Sequence, residues 1–209
     1  MKDYIKNLNQ ISLSDDILDI IKYANENDVP IMQEQGMFFL MQLIKAKRPQ
    51  KILEIGTAIG YSSIQMAIHS TALIDTIEKN SEMVRQALQN IVKLGLTDRI
   101  TCYFQDALEM DVTQLRGEYD VIFIDAAKAQ YEKFFVKYEP LLKLDGIIVS
   151  DNLLFHGLVV GDHEVSKNTK SLITKIKKYT QWLKNHPNFD TTFYEIGDGI
   201  AVSERKRQI

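Results

Sequence analysis

The sequence predicts an α/β fold: a doubly wound, mostly parallel sheet with helices ahead of it and an antiparallel hairpin at its end. Three observations carry that expectation. Five short β-rich runs, 51–55, 73–77, 100–104, 119–124 and 146–150, alternate with helical patterns, and alternation of this kind implies βαβ units. Four of these runs end in or lead straight into an acid, and the remaining one is followed by an acid. Near the C-terminus the alternation stops, and two strand-like runs, 191–196 and 200–203, flank the turn Gly197-Asp198-Gly199.

In chain order, Ser14 followed by Asp15 and Asp16 marks a helix start. Ile17, Leu18, Ile21 and Ala24 then recur at helical spacing. A second helix covers 33–46 and stops before Pro49. These helices form a helical N-terminal extension, 1–48, within one domain spanning 1–209, since no linker-like stretch divides the chain. After the second strand, Val84, Ala87, Leu88 and Ile91 form one apolar stripe. A late helix near 168–184 carries Leu172, Ile173, Ile176, Tyr179 and Leu183 inward.

Composition excludes several classes. At 209 residues with 45% hydrophobic and 25% charged side chains, the chain has the makeup of an ordinary globular domain. No apolar run approaches the ~20 residues that span a bilayer, so the expectation is a cytoplasmic protein with no membrane partner. The single cysteine, Cys102, has no second thiol for a disulfide or a zinc site and reads as a small strand residue. Net charge is −3, yet between Ser166 and Lys184 there are six lysines and no acid. Such a run is either a solvated helix face or a phosphate-binding one.

Ligands of open α/β sheets sit beyond the carboxyl ends of the strands, where Glu54, Glu78, Asp106, Asp125 and Asp151 all fall. Gly56 and Gly60, within Leu53–Ser63 (LEIGTAIGYSS), let the backbone turn tightly and approach a ligand. Ala58 occupies the place of the middle glycine in a dinucleotide fingerprint, and no Walker loop follows. The loop therefore suits a ligand without phosphate, with Glu54 favouring a positive charge such as a sulfonium. Glu78, 22 residues past Gly56, would accept hydrogen bonds from ribose hydroxyls. Asp125, Asp151 and Asn152 offer hard oxygen donors suited to Mg²⁺. Lys128 stands three residues beyond Asp125, placed to accept or orient a proton. His156 and His163 follow in a loop whose Phe155, Leu158 and Val159 could cover a pocket. Tyr131 and Trp182 offer rings on which a base could stack, with packing the more ordinary use.

Taken together, LEIGTAIGYSS, TIEKN, DALE, YDVIFIDAAKAQY and SDNLLFHG resemble the metal-dependent O-methyltransferases of the catechol and caffeoyl-CoA type, from about Ile31 to the C-terminus. The resemblance implies a seven-stranded doubly wound sheet with an antiparallel last strand. It implies that Ile31, Glu54, Gly56, Ser62, Glu78, Asp106, Ala107 and Asp125 bind S-adenosylmethionine, and that Asp125, Asp151 and Asn152 hold Mg²⁺ or another divalent cation. Lys128 and Asp125 would be catalytic, with Lys128 assisting deprotonation. FIDAAK followed by QY, and then DNLLFHGLV, are most similar to the bacterial branch that methylates 5-hydroxyuridine at the tRNA wobble position. That branch implies a tRNA anticodon loop as partner and a homodimer, with the N-terminal helices as its interface. A small catechol is the alternative acceptor, because both acceptors present two neighbouring oxygens. Gln105, where the family commonly has Gly, and Ala127, in place of an acid frequent in plant members, are departures. Two further readings stay open: a sensor that binds the adenosine ligand without chemistry, and a dehydrogenase.

Overall fold

The computed structural model describes Leu8 and residues 13–207; the remainder of the expected N-terminal extension, 1–7 and 9–12, lies outside the described residues. Its elements are α1 (Asp15–Glu26), α2 (Glu34–Lys47), β1 (Lys51–Ile55), α3 (Tyr61–Ile68), β2 (Leu73–Glu78), α4 (Ser81–Lys93), β3 (Ile100–Phe104), β4 (Tyr119–Ile124), α5 (Tyr131–Tyr138), β5 (Leu142–Ser150), α6 (Lys167–Lys184), β6 (Phe189–Tyr194) and β7 (Ile200–Arg205). The seven strands form one sheet in the order β3-β2-β1-β4-β5-β7-β6. β1 to β5 pair in parallel, and β7 runs antiparallel to both β5 and β6. This is the predicted α/β architecture.

The central strands read as continuous apolar runs because both faces are covered. One layer packs α1, α2 and α3 against Ile52, Ile74, Val121 and Phe123. The other packs α5 and α6 against Leu53, Ile55, Ile122 and Ile124. Neighbouring strand residues thus belong to opposite layers, as the pleat requires.

Two expected stripes need correction. In α1 the inward residues are Ile17, Ile20 and Ala24, whereas Leu18 is 49% exposed. In α4 Leu88 is 45% exposed and Asn90 is buried instead. A polar side chain is tolerated there because its amide donates to the Ile59 carbonyl at 2.8 Å and accepts from Gln86. Strand β5 begins at Leu142 rather than Gly146: pairing with β4 resumes across a register shift, from Tyr119–Leu142 to Val121–Ile147. The charged stretch Lys143–Asp145 is accommodated at that irregularity. The first hairpin strand also starts two residues early, since Phe189 is buried and pairs with Arg205 while Ile196 already belongs to the turn.

Candidate active site

Strand order reverses between β1 and β4, and the crevice at that switch point is where open α/β sheets hold ligands. A cavity of about 480 Å³ opens there, within the size class of small-molecule sites. Gly56 makes the approach possible. It adopts φ +102°, and a Cβ on it would lie 2.0 Å from the Asp125 carbonyl oxygen, so only glycine lets the β1 and β4 ends run this close.

Of the residues implicated in S-adenosylmethionine binding, Ile31, Gly56, Ser62, Glu78, Asp106, Ala107 and Asp125 line this cavity. Glu78 ends β2, and its carboxylate accepts from the backbone N–H groups of Ala58 (3.0 Å), Lys79 and Asn80 (both 2.9 Å). Those three donors fix its orientation toward the cavity. The Asp106 carboxylate accepts from Leu108 N at 2.9 Å. That bond, with Lys79 at 3.4 Å, holds its carboxyl below the usual range. Tyr138 pins the Ala107 carbonyl at 2.6 Å.

Glu54 is placed differently. It is fully buried on β1 behind the Gly56 turn, outside the cavity lining, and accepts from the Ser62 and Thr76 hydroxyls. Burial pushes its carboxyl up to about 8, only partly opposed by the Ser62 and Thr76 hydrogen bonds. Its reach toward a ligand therefore runs through Ser62, which does line the cavity.

At the other end the structure brings Asp125, Asp151 and Asn152 together. The Asn152 amide nitrogen donates to Asp125 Oδ1 at 2.8 Å and to Asp151 Oδ2 at 3.2 Å. A half-turn of the carboxamide exchanges its nitrogen for its oxygen at this point, so three oxygens can face one cation. Asp151 Oδ1 is buried and without a hydrogen-bond partner among the described residues. Burial raises the Asp125 carboxyl, opposed by the Lys128 charge and the Asn152 hydrogen bond. Burial and then the Asp125 charge push Asp151 up to about 8. The half-buried Asp125 carboxylate and the buried Asp151 carboxylate with its orphaned oxygen, beside a carboxamide, fit a hard divalent cation. Among the described residues no three His, Cys, Asp or Glu side chains converge as a metal site, so this fit rests on the mixed donor set.

The loop after β5 departs from ordinary backbone. Asn152, Phe155 and His156 take φ of 64°, 48° and 57°, each costing roughly 1 kcal/mol or more for a residue with a side chain. Lys128 lines the cavity and its Nζ stands 5.6 Å from the centre of the Phe155 ring. His156 also lines the cavity, whereas Phe155, Leu158, Val159 and the exposed His163 are outside the lining. Tyr131 and Trp182 turn out to be packing residues. Tyr131 is 1% exposed and donates to the Asp151 carbonyl, while Trp182 packs edge-on against Phe135 and His186. Sequence reasoning missed Pro30, Gln33, Tyr61 and Phe134 on the cavity wall. Tyr61 was within reach, since it directly follows Gly60 in the motif.

The sequence profile of the O-methyltransferase family matches residues 11–206. The chain belongs to the O-methyltransferase family. As a member it is an S-adenosylmethionine-dependent O-methyltransferase, and the cavity at the β1–β4 switch point is its candidate active site. A caffeoyl-CoA O-methyltransferase of Populus kitakamiensis is 29% identical over 192 residues, 88% of this chain and 81% of that one. A catechol O-methyltransferase of Niastella koreensis is 30% identical over 187 residues, 84% of this chain and 81% of its own. A crystal structure from Staphylococcus aureus, provisionally assigned as a caffeoyl-CoA O-methyltransferase, superposes with TM-score 0.91 at 39% identity, covering 98% of this chain and 99% of the other.

Proposed function

We propose that this O-methyltransferase works with a divalent cation and methylates 5-hydroxyuridine at the tRNA wobble position to 5-methoxyuridine. The observation that carries the cation is the cluster of Asp125, Asp151 and Asn152 with its orphaned Asp151 oxygen. In this reading those three residues hold Mg²⁺ or a similar ion beside the acceptor. When bound, the ion supplies Lewis acidity that makes a hydroxyl at one of two neighbouring oxygens easier to ionise.

The remaining work falls to the chain. Glu78 fixes the ribose of S-adenosylmethionine, Asp106 and Ala107 hold its adenine end, and Ser62, backed by Glu54, faces its amino-acid end. Ile31 and Gly56 close on its flank. Lys128 Nζ, whose positive charge acts on Asp125, orients the hydroxyl and stabilises its oxygen as the proton leaves to solvent. The methyl carbon then passes from the sulfonium to the acceptor oxygen, leaving a neutral thioether. Holding both reactants in line provides much of the rate.

The RNA acceptor is supported by α6. All six of its lysines are exposed, and the helix packs beside the Lys128–Gln130 turn on the cavity rim. A row of cations next to the site suits phosphates flanking a base splayed from its stack. A homodimer that lengthens this surface is part of the same proposal.

A second reading, methylation of a small catechol, is favoured by the likeness to the Niastella koreensis enzyme. Incubation with labelled S-adenosylmethionine and tRNA carrying 5-hydroxyuridine, with and without a chelator, tests the proposal. Chelator-sensitive label in 5-methoxyuridine is expected. Label that enters only a catechol overturns the RNA acceptor, and label insensitive to chelation overturns the cation.

A further inference from the structure

The turn Gly197-Asp198-Gly199 joins β6 to β7, and sequence reasoning gave it no role beyond reversing the chain. In the structure it packs between the start of α2 and the loop after β5. A Cβ on Gly197 would meet the backbone of Gly36 at 3.0 Å, at the start of α2. A Cβ on Gly199 would meet Leu154 at 2.6 Å. Backbone bonds tie the turn to the loop after β5: Leu153 N donates to the Gly199 carbonyl at 3.0 Å, and Leu154 N to that of Asp198 at 2.7 Å.

Asp198 is the one side chain of this turn. It is 4% exposed, and its Oδ1 accepts from the backbone N–H of His156. Its Oδ2 is buried with no hydrogen-bond partner among the described residues, 3.8 Å from His156 Nδ1. The charge of Asp198 is felt by both Asp125 and Asp151. A buried carboxylate with half its capacity unused is costly to keep.

Its effect is on the loop. His156 and Phe155 are both in the left-handed region, and a backbone of that kind persists only where its surroundings hold it. Asp198 supplies the hold at His156. Phe155, one residue earlier, stands over Lys128, and Asn152, at the loop's start, bridges Asp125 and Asp151. We propose that Asp198 is a positioning residue: by accepting from His156 N it fixes the loop that sets Asn152 and Lys128 against the acceptor.

The test compares wild type, Asp198→Ala and Asp198→Asn, the last keeping an acceptor oxygen without the charge. Amide exchange across 153–157, S-adenosylhomocysteine affinity by calorimetry, and methyl transfer to 5-hydroxyuridine tRNA or a catechol are measured. In Asp198→Ala, exchange at His156 is expected to accelerate at least tenfold, and kcat/KM for the acceptor to fall by about 100-fold, as loss of reactant alignment does. Affinity for S-adenosylhomocysteine should stay within about threefold, because Glu78 and Asp106 have their own backbone partners. Asp198→Asn should restore at least tenfold of the lost activity. The positioning role is overturned by unchanged exchange or transfer in Asp198→Ala, by cofactor affinity falling in parallel, or by no rescue in Asp198→Asn. The transfer arm rests on the acceptor proposed above. A wild type silent on both acceptors overturns that acceptor reading alone, and amide exchange with rescue by Asp198→Asn then decides the role of Asp198.

Discussion

Glu54 on β1 and Gly56 in the turn after it are single positions that set the site. Gly56 combines a positive φ with a carbonyl where its Cβ would be, so Gly56→Ala should destabilise the fold by roughly 3 kcal/mol or more. Chemical denaturation measures this, and a loss below about 1 kcal/mol would show that β1 and β4 can part cheaply. Glu54 presents a pH effect. Its carboxyl, raised by burial to about 8 from 4.5, binds a proton more tightly folded than unfolded. The resulting stabilisation is complete below pH 4.5 and is lost as pH rises toward 8. Glu54→Gln keeps an acceptor for Ser62 and Thr76 and removes the titration. The variant should gain on wild type by an amount on the order of 4 kcal/mol between pH 5 and pH 9. Thermal unfolding across that range checks it, and parallel curves would contradict the assignment.

Among the elements, α6 is where structure and proposed acceptor meet. Ile176, Tyr179 and Leu183 are buried, the latter two in the sheet's second layer, which leaves the lysines outward. Replacing Lys170, Lys177 and Lys178 by Glu should lower kcat/KM on tRNA at least tenfold and flatten its salt dependence. Turnover of a catechol should be unchanged. Equal losses on both acceptors would mean that α6 supports the fold rather than the RNA. The strands were legible because their apolar runs and terminal acids are local signals, and Asp125, Asp151 and Asn152 could be grouped because β4 and β5 had to be neighbours. Leu18 and Leu88 misled because helical spacing marks an apolar stripe without saying which edge of it meets the sheet. Asp198 was illegible as more than a turn residue: its meaning depends on a loop 42 residues away in sequence, and no periodicity links the two.

Across the whole molecule, one sheet carries two half-sites. In the proposed function β1, β2 and β3 present the cosubstrate end and β4 and β5 the carboxylates, and backbone bonds tie the β6–β7 turn to the loop after β5. Cation binding should therefore stabilise the native state, since two raised carboxyls gain a partner that the unfolded chain lacks. In the proposed function Asp125, Asp151 and Asn152 together form one cation site. Titration with Mn²⁺, followed by its paramagnetic resonance signal in the presence of S-adenosylhomocysteine, tests it most directly. One bound ion per chain is predicted for the wild type, weakened at least 100-fold in Asp125→Asn and in Asp151→Asn. Binding of equal strength in all three proteins would contradict the account.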